Sequence, residues 1–400
     1  MNEFRSMIND CIKIGLETNA SSLKKLSLLT YSVMKQKYPS VPSYYRLTAI
    51  SKAAGILASR KKSERRGIIT KDPRLRKPLL ISCYHFRIRD QYLFFRISRK
   101  DKIAKILLTN HTLQIIEKAR IEVRSFTLTP TSLSLSLRKE VTTFIPGCFF
   151  GIDRNASNVT CGDTERVAQF GVKKVEEIAK TTREVVRSFK RNDVRIRRAL
   201  TVKYGKRRSE RVNQILNKVS KNIVDMAKSS MGAIVFEKID GLRNLYRKGN
   251  YQGKNFRARM NSVPWYEIKR QIEYKAAWEG IPVIQLSKDE TRGTSKLCPI
   301  CGERLLEDRF NRVHRRELWC IRCGRWFDRD VVAVMNISHR GWLRFVQSNK
   351  GEASEVMVQE PCKDGVILKV DASKLGRHER NKLLALLLIH PAMTRQNPNH

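Results

Sequence analysis

Two short cysteine pairs constrain this chain more than any other feature. Cys298-Pro-Ile-Cys301-Gly and Cys320-Ile-Arg-Cys323-Gly lie eighteen residues apart. A two-residue turn lets both sulfurs of a pair point at one ion, and Gly302 or Gly324 permits the positive φ that closes the turn. Two such turns supply four thiolates in a closed tetrahedral shell, the arrangement of a structural Zn²⁺ site that folds a small module and leaves no open position for catalysis. Two redox pairs are the competing reading of the same residues. The other cysteines, Cys11, Cys83, Cys148, Cys161 and Cys362, are scattered. Single thiols beside one paired cluster fit a reducing compartment and not a disulfide framework.

The segment between the pairs carries Arg304, Arg309, Arg312, Arg315 and Arg316. That excess runs through the chain: 80 Lys and Arg stand against 38 Asp and Glu in 400 residues, a formal charge of +42. Such a charge works against compaction unless a polyanion is bound, so nucleic acid is the expected partner. At 41% hydrophobic residues the chain can also build real cores. The longest apolar run, Leu383 to Ile389, cannot span a bilayer, and MNEFRSMIND lacks the apolar core of a signal peptide. A cytoplasmic, nucleoid-associated protein with no membrane partner is expected.

The pattern divides the chain. Residues 1 to about 60 read as helical, with one helix through Tyr45–Leu57 after Pro42, followed by a basic loop at 61–78. From about Leu79 short alternating segments (YHFRIRD, YLFFRIS, ARIEVRSFTLTP, SLSLSLR) predict a small antiparallel sheet or barrel. After Pro146, CFFGID, NVTCGD and RVAQF predict three strands, and 173–230 two long helices. AIVFEKI then predicts a strand, Trp265 to Ala276 a helix and IPVIQL a last strand. This β-β-β-α-β-α-β order is that of an RNase H-like layer. Val212, Leu216, Val219, Ile223 and Met226 form an apolar seam. Residues 181–230 carry fifteen Lys/Arg and four Asp/Glu, and Arg187, Arg191, Arg195 and Arg198 are expected along one face of the first long helix. With Arg207 and Arg208 they are the candidate phosphate contacts, a solvated face being the bland alternative.

Three acids stand where metal chemistry would need them. Asp153 ends FFGID, Glu237 lies inside AIVFEKI, and Asp330 follows the cysteines in WFDRDVVAVMNI, with Asp328 as the other candidate there. A carboxylate within an apolar strand is costly unless paired or bound to a cation.

At this point the sequence resembles a family. GIDRNASNVT, RVNQILNKVSKNIVDMAK, IVFEKIDGLR, QIEYKAAWEGIPV, TSKLCPICG, CIRCGRWFDRD and VMNI, in this order over about 150 to 340, resemble the TnpB (OrfB-type) insertion-sequence proteins, relatives of type V CRISPR effectors. GIDRN looks most like archaeal members. The resemblance implies a multidomain fold: a helical recognition lobe (1–66), an oligonucleotide-binding β-barrel (67–146), a RuvC-like nuclease (147–295 and 327–344) interrupted by a zinc ribbon (296–326), and a tail (345–400). It implies an RNA-guided DNA endonuclease using a guide RNA from the same mobile element on double-stranded DNA. Asp153, Glu237 and Asp330 would hold catalytic Mg²⁺ or Mn²⁺, with Asp153 bridging two ions ~4 Å apart. Tyr44, Tyr45, Tyr246 and Tyr251 are candidates to stack on bases. A nuclease-inactive RNA- or DNA-binding regulator of the same family, or an accessory protein of transposition, are the alternatives. Two departures stand out. Many members follow the DRD acid with x-Asn-Ala-Ala, where this chain has Val331-Val332-Ala333-Val334. Relatives also open on a barrel strand, where this chain opens on helical sequence, so a barrel one strand short is expected.

Overall fold

The computed structural model describes residues 1–98, 103–118, 120–191, 193–239, 241–247, 249–307, 316–350 and 366–374. Arg309, Arg312, Arg315 and the run Leu383–Ile389 lie outside them. The chain divides into two compact units, Met1–Glu140 with Ile367–His400, and Val141–Val366.

In the first unit, α1 (Asn2–Glu17), α2 (Leu23–Lys37) and α3 (Ser43–Glu64) pack together. Met7, Ile8 and Cys11 of α1 and Ala49, Ile50 and Ala53 of α3 are all buried, and the two helices are in contact. Ser22 caps α2 by accepting the Lys25 N–H, and Pro42 stands just before α3, where its missing N–H costs nothing. The strands that follow are β1 (Leu80–Ser82), β2 (Phe86–Arg89), β3 (Tyr92–Arg96) and β4 (Ile103–Leu107). After the short α4 (Asn110–Ile116) come β5 (Ile121–Leu128) and β6 (Ser132–Lys139). Of the sheet or barrel expected here, the described residues form sheets and not the β-barrel that the resemblance implied. Among the described residues these strands form two separate sheets, β2-β3-β4 and β1-β5-β6 extended by the strand Val366–Lys374. β1 skips its chain neighbour and pairs with β5. The sheets meet through rings instead of a continuous ladder: Phe126 of β5 lies 5.6 Å from Phe86 and 5.0 Å from Phe95.

The second unit is built on one mixed sheet. β7 (Cys148–Arg154), β8 (Asn158–Gly162) and β9 (Val167–Gly171) form an antiparallel meander. The helices α5 (Lys173–Ser188) and α6 (Val194–Ser229) lead to β10 (Gly232–Glu237), which pairs parallel with β7. Short α7 (Leu242–Leu245) and α8 (Lys254–Met260) precede α9 (Trp265–Glu279) and β11 (Val283–Leu286), parallel to β10. The order is β11-β10-β7-β8-β9. Both faces are covered, which is why CFFGI and AIVF are continuously apolar and not alternating. Phe150, Ile152, Ile234 and Phe236 pack against the seam Val212, Leu216, Val219 and Ile223, with Met226 at its edge. On the other face Phe149, Ala233 and Val235 meet Ile337 and Phe345.

That second face is closed by α10 (Arg329–Lys350), which follows a small three-stranded sheet of β12 (Leu306–Glu307), β13 (Glu317–Cys320) and β14 (Arg325–Asp328). The helix crosses β7 so closely that a methyl on Gly151 would strike the Val334 carbonyl. Only glycine allows this approach, and it sets the depth at which the start of α10 meets the sheet. Ser338 Oγ donates to the Phe149 carbonyl at 2.5 Å along the same seam.

Candidate active site and metal centre

The parallel pairing of β7 with β10 puts Phe236 opposite Ile152. The next residues, Glu237 and Asp153, therefore lie side by side near the carboxyl ends of adjacent strands, the edge where open α/β sheets bind ligands. Asp330 comes from the first turn of α10 and is 3% exposed. Its Oδ2 accepts from Asn158 Nδ2 of β8 at 2.9 Å and from Arg316 Nη2 at 2.5 Å. Asp153 Oδ2 accepts from Asn155 Nδ2 at 2.7 Å. Arg154, nearly buried, bridges the Glu237 carbonyl (3.0 Å) and the Trp265 carbonyl (3.1 Å), tying the end of β10 to the start of α9. Asp328, the other acid of DRD, accepts the backbone N–H groups of Asp330 (2.8 Å) and Val331 (3.1 Å) and so caps α10.

The three acids feel one another. Burial, then the charges of Glu237 and Asp330, push the Asp153 carboxyl up to about 7, against the opposing pull of Asn155 and Arg154. Burial also raises Glu237, with Arg154 opposing. A buried cluster of like charges is what a divalent cation relieves. Asn158 Oδ1, buried without a hydrogen-bond partner, adds a hard oxygen beside Asp330. The donor set therefore fits Mg²⁺ or Mn²⁺.

A pH dependence follows from Asp153. Its folded value lies above the ordinary 3.8, so between about 4 and 7 the folded chain holds a proton that the unfolded chain releases. Stability conferred below that window is lost as pH rises through it, by up to about 4 kcal/mol for this one group. Metal-free protein should melt progressively lower from pH 5 to 8. Asp153→Asn should flatten that slope and raise the melting temperature at pH 8; an unchanged slope would show that Asp153 is not strained.

The cysteine cluster sits in the small sheet. Cys298 Sγ lies 3.8 Å from Cys323 Sγ, and Cys301 Sγ 3.5 Å from Cys320 Sγ. Four sulfurs at about 2.3 Å from one ion would stand about 3.8 Å apart, so the cage is of metal-binding size. Gly302 and Gly324 have φ of +75° and +61°, the turns the sequence demanded, and their N–H groups donate to the Cys298 and Cys320 carbonyls. Leu305, Leu318 and Val332 pack against the cysteines. Val332 thus joins the first turn of α10 to this module, at a position where the sequence departs from x-Asn-Ala-Ala. Asn336 Nδ2 adds bonds to the Thr294 and Leu297 carbonyls, 2.7 and 2.8 Å, at the module's entrance.

The arginine face requires correction. The two expected long helices are present, but the first ends at Ser188 and Asp193 accepts the Arg195 N–H to start the second, so the four arginines do not share one helix. Arg187 ends α5, Arg191 lies in the connection, and Arg195 and Arg198 open α6. Arg207 stands over the Tyr204 ring, while Arg208 is partly desolvated beside Arg183. Of the tyrosines, Tyr45 and Tyr246 are core residues, Tyr44 stacks on His85, and Tyr251 is fully exposed. Two residues at the acids were not singled out from sequence: Arg316, read only as part of a basic insert, and Asn158, whose sole signal was a place five residues after Asp153 across a tight turn.

Comparison with known proteins gives these features a context. The Cas12f1-like TNB domain matches residues 265–337, the stretch holding α9, the cysteines and Asp330. TnpB-like protein MJ0751 of Methanocaldococcus jannaschii is 32% identical over 195 residues, 46% of this chain and 66% of that protein. The chain belongs to the TnpB/Cas12f-like family. A second member, the CRISPR-associated endodeoxyribonuclease Cas12f1 of Sulfoacidibacillus thermotolerans, is 30% identical over 30% of this chain and 25% of its own length. The family fold extends further than sequence likeness. A Cas12f1 solved by cryo-EM in complex with sgRNA and target DNA aligns over 84% of this chain and 80% of its own, with a TM-score of 0.55 at 15% identity. The matched sequence spans under two thirds of these curated relatives. Among the described residues, no helix is long and apolar enough to cross a membrane.

Proposed function

We propose that this chain is an RNA-guided DNA endonuclease with a RuvC-like, RNase H-like site. The observation that carries this reading is the convergence of Asp153, Glu237 and Asp330 from β7, β10 and α10 on one edge of the sheet, where burial and then the two other acids push the Asp153 carboxyl up to about 7. Mg²⁺ or Mn²⁺ held there would supply an activated water and relieve charge on the leaving oxygen of a phosphodiester. The chain's own groups do the rest. Arg154 fixes the main chain at Glu237, Asp328 fixes the first turn of α10, and Arg316, half exposed at Asp330, is placed to take a phosphate oxygen. Four thiolates would hold a structural zinc whose module carries Arg316 to the acids. Residues 1–66, 67–146, 147–344 with the ribbon at 296–326, and 345–400 are proposed as the recognition lobe, oligonucleotide-binding part, nuclease and tail. The sequence specificity would reside in a guide RNA from the same element, paired to double-stranded DNA in a prokaryotic cytoplasm.

The test is the RNA. A chain at +42 binds any polyanion, and such binding weakens by roughly 10³–10⁵ between 50 and 200 mM salt for ~6–10 phosphate contacts. A folded guide touching several basic surfaces at once should survive a high-salt wash. Sequencing the retained RNA should return one discrete species encoded beside the protein's own gene. A washed protein that carries no discrete RNA yet binds DNA specifically would replace this reading with that of a DNA-binding regulator.

A further inference from the structure

The turn from β7 to β8 carries two asparagines that reach two different acids. Asn155 donates to Asp153, on its own strand, and Asn158 donates to Asp330, on a helix 172 residues further along the chain. The turn that presents them is rigid: the Asn155 N–H bonds to the Asn158 carbonyl at 2.9 Å, and the Val172 N–H to the Ser157 carbonyl at 2.7 Å. Asn158 is the more informative of the pair. A carboxylate can only accept, so the NH₂ end of the amide must face Asp330, and the orientation of Oδ1 follows. That oxygen is buried and accepts nothing. It is tied to Nδ2 through one planar amide, so it lies within about 5 Å of the Asp330 carboxylate. A buried amide oxygen without a donor is costly in a site that has no use for it. Amide oxygens are ordinary ligands, directly or through water, of hard divalent cations.

We propose that Asn158 is a positioning residue for Asp330 and that its Oδ1 receives the water shell of the divalent cation the acids hold. One side chain thereby joins β8, α10 and the ion, and α10 is seated for metal binding by the hairpin it packs on. The inference rests on the carboxylate reading above, and its test separates the two.

Full-length, RNA-stripped, zinc-loaded protein is titrated with Mn²⁺, and free Mn²⁺ is followed by electron paramagnetic resonance. Wild type should show a site that Asp153→Ala abolishes. Asn158→Ala and the near-isosteric Asn158→Leu should each weaken that site about 10- to 100-fold, the effect of removing an outer-shell partner. Both should retain zinc and melt near wild type in EDTA. In cleavage assays the same variants should need proportionally more Mg²⁺ for half-maximal rate, with the rate recovered at saturation. If wild type has the Asp153-dependent site and both Asn158 variants bind Mn²⁺ within threefold of it, this inference falls and the carboxylate site stands. If wild type has no such site, both fall.

Discussion

Asp153→Ala, Glu237→Ala or Asp330→Ala should each reduce DNA cleavage to background. In the proposed site the three acids share one edge, so each removal would take a ligand from a common centre that the other two could not replace. The loss should exceed the roughly 100-fold typical of an outer hydrogen-bond partner. Nucleic-acid binding should persist in all three, because the Lys and Arg side chains that neutralise phosphates are untouched. Asp328→Ala is the informative neighbour. Its carboxylate caps α10, so the substitution should cost about 1 kcal/mol in stability and leave cutting largely intact. An inactive Asp328→Ala beside an active Asp330→Ala, in cleavage assays on purified protein, would move the ligand to Asp328.

The second large effect is on the cysteine cluster. Elemental analysis should find about one zinc per chain. A structural zinc in a small module contributes about 10–16 kcal/mol of apparent binding energy, which is its folding energy. Cys320→Ser or a strong chelator should therefore melt the segment from about 296 to 326, read as new protease cleavage there. Activity should fall with it, since Val332 of α10 packs among the cysteines and Arg316 at the edge of the same sheet reaches Asp330. Pure, active protein without zinc would contradict the structural role.

Much of this was legible in the sequence because it is local. CxxC-Gly sets its own turn, and an acid ending an apolar run places itself at a strand end; the cage and the Asp153–Glu237 pair needed only that. The Val212–Met226 seam was legible by periodicity for the same reason. What escaped was non-local or energetically close. That there are two helices was legible, but where the second begins turns on one capping aspartate, Asp193. The strands of the first unit were visible, but alternation does not say that β1 would leave β2 for β5, and so it left sheet and barrel both open. Whether Tyr45 packs in a core or stacks on a base is decided only by the fold, which buries it. Asn158 and Arg316 acquire meaning only when α10 lies over β7, which Gly151 permits and no spacing announces.

The most direct measurement is cleavage by the purified ribonucleoprotein in Mg²⁺ on two duplexes. They differ only in whether one strand is complementary to the end of the retained RNA, and each is tried with wild type and with Asp153→Ala. Cutting confined to wild type on the complementary duplex, and abolished by EDTA, is the expected result. Equal cutting of both duplexes, or cutting by Asp153→Ala, would contradict an RNA-guided enzyme built on these three acids.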